Sequence, residues 1–175
     1  IEAAGAGSRI AVIKPNGDEL SEALRSTGID VNVPDGDLLE SDPTLAVAAV
    51  HTLMAARPGI EAVLLTLGAR GAILVTGADS TTGATAGAWI AAAPPTVAVS
   101  TVGAGDSALA GWIIAAAAGA AHPDRLANAV AYGSAAAALP GSTPPTPDEA
   151  DPGRVAVTEL STTQLPTTAA PDERP

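Results

Sequence analysis

The stretch Val97-Ala-Val-Ser-Thr-Val-Gly103-Ala-Gly105-Asp106-Ser-Ala-Leu-Ala-Gly111 permits few backbone arrangements. A β-branched, strand-like pattern runs through two glycines, which allow a sharp turn, into an alanine-rich segment that favours helix. A strand entering a helix through glycines exposes backbone N–H groups at the positive end of the helix dipole, so the turn is an anion site. Asp106 in the first helical turn would repel a bound phosphate unless it has its own task, such as taking a proton from a hydroxyl about to attack that phosphate. Two other readings fit the same residues. One is a plain strand-to-helix turn whose acid favours the dipole. The other is a dinucleotide fingerprint, since Gly103, Gly105 and Ala108 satisfy G-x-G-x-x-A with Asp124 downstream; that acid should end a strand, whereas Asp124 follows His122-Pro123 at the start of a helix.

The chain has 175 residues, about one ordinary domain. Hydrophobic residues make up 47 %, yet there are two Trp, one Tyr and no Phe, so alanine and aliphatic side chains fill the core and helices must pack closely. A net charge of −11 argues against a nucleic-acid or anionic-membrane partner and requires an anionic substrate to be held locally. Without cysteine there is no thiol nucleophile and no thiolate metal site, as befits a reducing compartment, and His51 and His122 lack metal-ligand spacing. No apolar run reaches the ~18 residues of a membrane span, and Ile1-Glu-Ala-Ala-Gly is not a signal-peptide start, so a soluble, cytoplasmic protein is expected. A first residue Ile1 directly before a strand-like segment raises the expectation that an upstream part precedes it.

Strands are expected at Arg9–Ile13, Ala62–Thr66, Ala72–Thr76 and from Val97; Thr81–Ala93 reads either as irregular or as weak strand structure around Trp89, and Val155–Thr158 is a candidate last edge strand. Helices are expected from Asp18 to Arg25 (ended by Gly28), over Thr44–Ala56 with Leu45, Val50, Leu53 and Met54 as the apolar face, from Ala104 to Gly119, and from Asp124 to Leu139. The acid-rich segment from Pro34 to Pro43 reads as a loop, and residues 161–175 read as a disordered tail. The alternation of strands and helices predicts an α/β architecture with a largely parallel sheet.

Three further segments carry candidate chemistry. Asn16 and Glu19 stand three apart on an early helical turn, where they either hold a hydrated Mg²⁺ or simply cap the helix. Thr66-Leu-Gly68-Ala-Arg-Gly71 joins two strands and as a hairpin turn needs no function. Small residues around Gly133 and Ser134 either permit close helix packing or form a flat wall for a planar base.

In order, Lys14-Pro-Asn-Gly-Asp-Glu19, Thr66 to Gly71, Gly103-Ala-Gly-Asp106 and the alanine-rich Asn128 to Gly141 resemble the motifs of the ribokinase-like family, the phosphofructokinase B group of sugar kinases. The form Ser100-Thr-Val-Gly-Ala-Gly-Asp-Ser107 is most similar to the branch of 1-phosphofructokinases and tagatose-6-phosphate kinases. The resemblance implies the C-terminal, nucleotide-binding and catalytic part of a three-layer α/β/α kinase domain over residues 1–160, with the N-terminal half absent. It implies ATP and Mg²⁺ as cofactors, a phosphorylated ketohexose as acceptor, and a homodimer through the N-terminal lid. Asp106 would be the base, with Gly103, Ala104 and Gly105 holding the transferring phosphoryl group. Thr66, Gly68, Gly71, Gly133 and Ser134 would bind nucleotide, Asn16 and Glu19 would organise Mg²⁺, and Lys14 would reach a phosphate. Ser100 stands where many relatives carry an acid that helps bind a monovalent cation. A non-catalytic nucleotide-binding remnant and an assembly module with an exposed sheet edge are the alternatives.

Overall fold

The computed structural model describes residues 10–28, 32–78 and 86–160. Helix α1 (Gly17–Arg25) begins in a capping box. Asn16 Oδ1 accepts the Glu19 N–H at 2.8 Å and Glu19 Oε2 accepts the Asn16 N–H at 2.8 Å, so two otherwise unpaired donors are satisfied reciprocally. The expected acid-rich loop instead contains α2 (Gly36–Ser41), because Asp35 caps it by accepting the Leu38 N–H at 2.8 Å. Asp42 then ends α2 and caps α3 (Pro43–Ala56). Glycine allows α2 to rest on the first turn of α1: a Cβ on Gly17 would strike the Gly36 carbonyl, and one on Gly36 would strike Asp18. Helix α3 buries Ala46, Val47, Ala49, Val50 and Leu53, whereas Leu45 and Met54 of the expected apolar face are only partly buried.

Strands β1 (Ala62–Thr66), β2 (Gly71–Thr76), β3 (Gly87–Ala92) and β4 (Val157–Glu159) form one sheet in that order, and each neighbouring pair is antiparallel. This corrects the largely parallel sheet expected from the strand–helix alternation. A link as short as Leu67–Arg70 can only return a strand antiparallel, and among the described residues parallel pairing is confined to the bridges Ile10↔Ile60 and Ile13↔Val63. Those bridges are also all that forms of the strand expected at Arg9–Ile13; Arg9 and the tail from Ser161 lie outside the described residues.

Strands β1 and β2 are apolar on both faces and are covered on both, whereas the edge strand β4 is largely exposed. Val63, Leu65, Ile73 and Val75 pack with Leu20 and Leu24 of α1 and with Val50 and Leu53 of α3. Leu64 and Leu74 pack on the other side with Trp112 of α4 (Ala104–Ala117) and with Leu126 and Val130 of α5 (His122–Ala137). The result is three layers of the α/β class. Helices α4 and α5 approach as closely as their small residues imply: a Cβ on Gly111 would lie 2.7 Å from the Asn128 carbonyl oxygen and 2.9 Å from Tyr132 Cβ. Gly111→Val is therefore expected to destabilise the fold by roughly 1–3 kcal/mol, as overpacking of a core does, measured as a lower urea midpoint.

The strand expected from Val97 does not form. Pro94 and Pro95 supply no N–H for a ladder, and the Val99 and Ser100 N–H groups both donate to the Ala137 carbonyl at the end of α5, at 2.8 and 3.2 Å. Val97, Val99 and Val102 consequently face outward.

The His122 ring stacks on Trp89 with centroids 5.6 Å apart, and among the described residues its buried Nδ1 has no hydrogen-bond partner, nor has the buried Nε2 of His51. Burial, then the positive charge of Arg125, lowers the His122 pKa below the ordinary imidazole value; burial alone lowers that of His51. The unfolded chain therefore takes up these protons first as pH falls, so stability is fully present above the unfolded imidazole value and declines below it. The urea midpoint is expected to drop between about pH 7.5 and 5.5, and less so in a His51→Gln, His122→Gln double variant.

Candidate functional site

A cavity of about 610 Å³ opens between the two helical layers, above the β1–β2 turn. One wall is the turn itself. Its glycines have φ of 57° at Gly68 and 114° at Gly71, and a Cβ on Gly71 would collide with the Ala91 carbonyl, so glycine lets the end of the turn lie this close to β3. Thr66 ties the turn to the Lys14-Pro15 segment by donating its N–H (3.0 Å) and hydroxyl (3.3 Å) to the Pro15 carbonyl.

The opposite wall is the start of α4 with the facing side of α5. Gly103, in the left-handed conformation at φ 81°, turns the chain into α4, and no side chain caps that helix. The Ala104 N–H donates to the Thr101 carbonyl at 3.3 Å, and among the described residues the Gly105 and Asp106 N–H groups are left for a ligand. Lys14 crosses the cavity to this point: its Nζ lies 3.0 Å from where a Cβ on Gly105 would sit. Among the described residues the lysine has no carboxylate partner. An unpaired ammonium beside an uncapped helix N-terminus is what a phosphate group requires.

The structure brings Thr66, Gly68, Gly71, Gly133, Ser134, Ala104, Gly105 and Asn16 to this one cavity. Gly103 and Asp106 belong to the same turn but not to the lining, and Asp106 is exposed. Gly133 also serves close packing, since a Cβ there would meet Ala108 Cβ at 3.2 Å and the Ala104 oxygen at 3.3 Å. Asn16 and Glu19 are engaged with each other in the capping box, and among the described residues no group of three metal-ligating side chains exists. That donor set suits a cation which keeps its water shell and is held mainly by phosphates, the habit of Mg²⁺, rather than a protein cage. Sequence reasoning missed Glu40 of α2 and the Pro94–Ala98 segment, which complete the lining. Glu40 carries no sequence signal, because the six-residue helix that holds it is too short for periodicity.

Residues 6–149 match the family model described as pfkB family carbohydrate kinase, and the chain belongs to that family. No curated protein matches it by sequence. Among solved structures it is similar to a Staphylococcus aureus protein described as a phosphofructokinase, at 26 % identity and TM-score 0.66, covering 87 % of this chain and 42 % of that one. Phosphofructokinase-2 from Escherichia coli, in complex with substrates and products, shares 25 % identity at TM-score 0.58, covering 82 % and 39 %. Ribokinase from Thermotoga maritima shares the fold at TM-score 0.59 and 18 % identity, covering 81 % and 41 %. The chain thus spans about two fifths of these neighbours' lengths. Among the described residues no helix is long and apolar enough to cross a membrane.

Proposed function

We propose that this chain is the nucleotide-binding and catalytic part of a kinase that moves the γ-phosphoryl group of ATP to a hydroxyl of a phosphorylated ketohexose. The observation that carries the reading is the unpaired Lys14 ammonium over the uncapped start of α4, inside a cavity walled by the β1–β2 turn and α5. The triphosphate runs from Thr66 and Gly68 toward Gly105, and the base lies against Gly133 and Ser134. Asp106 accepts the proton of the acceptor hydroxyl, whose oxygen bonds to the γ-phosphorus while the bond to the β-phosphate oxygen breaks and ADP leaves. The backbone N–H groups of Gly105 and Asp106, with Lys14, stabilise the charge on the transferring group. Mg²⁺ supplies neutralisation of the phosphates when bound, and Asn16 and Glu19 organise its waters.

The Ser100-Thr-Val form of the turn supports a 1-phosphofructokinase-like or tagatose-6-phosphate-kinase-like acceptor. A second reading, nucleotide binding without transfer, is supported by the position of Asp106 outside the cavity lining. A coupled ADP-release assay of the full-length protein that contains this chain, across fructose 1-phosphate, fructose 6-phosphate, tagatose 6-phosphate and unphosphorylated sugars, separates the two; residues 1–175 alone are expected to bind nucleotide with negligible turnover. Turnover on a ketohexose phosphate supports transfer, turnover only on unphosphorylated sugars rejects the branch, and no turnover on any sugar favours binding alone.

A further inference from the structure

We propose that Glu40 makes nucleotide binding in this cavity dependent on a divalent cation, by accepting hydrogen bonds from the waters of a nucleotide-bound Mg²⁺ and repelling the phosphates when the cation is absent. The inference rests on the nucleotide reading given above and concerns a residue outside all of its motifs. Three observations carry it. Glu40 and Lys14 are the two charged side chains among the described residues that line the cavity. The two stand at different walls: Lys14 Nζ beside Gly105, and Glu40 Oε2 at 3.7 Å from where a Cβ on Gly68 would sit. The fold also holds Glu40 in place, because the Gly17–Gly36 contact seats α2 on α1 and leaves Glu40 Cγ 3.0 Å from a Gly17 Cβ, next to the Asn16–Glu19 turn.

No hydrogen bond or ion pair engages the Glu40 carboxylate among the described residues. A half-buried, unpaired carboxylate at the polyphosphate end of a cavity opposes a bare nucleotide. It favours one whose phosphates carry a hydrated cation, because Mg²⁺ retains several waters and uses one or two carboxylates besides the phosphates.

The test is calorimetric titration of the whole chain with ADP, in Mg²⁺ and in EDTA, for the parent and for Glu40→Gln, with Glu40→Asp as a second variant and circular dichroism to verify folding. The parent is expected to prefer Mg·ADP. Glu40→Gln is expected to bind metal-free ADP more tightly and Mg·ADP less tightly, so that the preference falls by roughly fivefold or more; Glu40→Asp should keep most of it. An unchanged preference overturns the proposal, as does an equal loss with and without Mg²⁺, which would mark a contact to the ribose or base. A parent that binds both forms equally overturns the role of Glu40 while leaving the nucleotide site standing. Binding of neither form overturns both.

Discussion

Asp106→Asn, in the longest form of the protein that performs the transfer, is expected to lower kcat by at least ~10²-fold, the scale of a lost general base, while the Kd for Mg·ATP stays equal or improves. On the proposed mechanism the two effects diverge, because the carboxylate would act on the acceptor hydroxyl and not on the nucleotide. It sits in the first turn of α4, exposed and outside the cavity lining, so removing its charge costs the nucleotide no contact and relieves a repulsion. Steady-state turnover beside a binding titration measures both quantities. Near-parental turnover would make Asp106 a residue that serves only the helix dipole, and the transfer mechanism would be wrong.

Lys14→Met is expected to weaken Mg·ATP binding roughly 10- to 100-fold, the equivalent of the ~1.5–3 kcal/mol of a hydrogen bond to a charged group. The ammonium has no carboxylate partner among the described residues and reaches the uncapped start of α4. Its loss therefore removes a ligand contact and strands no buried partner. Lys14→Arg should retain part of the affinity, since it keeps the charge but not the compact shape. Calorimetry with both variants checks this. Equal affinity in Lys14→Met would reduce Lys14 to a lysine at the end of a strand segment.

Where local chemistry decides the backbone, the sequence was legible. Gly68 and Gly71 mark the β1–β2 turn because their positive φ angles are ones that side-chain-bearing residues rarely adopt, and the runs from Thr44, Ala104 and Asp124 give α3, α4 and α5 within a few residues. Where distant partners decide it, legibility ends. Val97 to Val99 has β-branched residues, but the Val99 and Ser100 donors go to the Ala137 carbonyl, a distant partner in the chain that no local pattern reveals. Helix α2 is too short for periodicity and rests on one cap at Asp35, so its acids read as loop. The strand–helix alternation suggested parallel pairing although the turn at Gly68 to Gly71, taken as a hairpin, already required its antiparallel counterpart. The same division runs through the site. Thr66, Gly68, Gly71, Gly133 and Ser134 could be named from their motifs, whereas Glu40 enters only through the contact of α2 with α1.

One cavity is expected to hold a nucleotide with its phosphates at the start of α4. The most direct measurement is an amide-resolved NMR titration of the 175-residue chain with Mg·ATP. Saturable shifts are predicted at the amides of Gly68, Gly105, Asp106 and Gly133, with little change at Gly28 or Gly119, which lie at helix ends away from the cavity lining. No shifts at millimolar nucleotide, or shifts that leave Gly105 and Asp106 untouched, would contradict it.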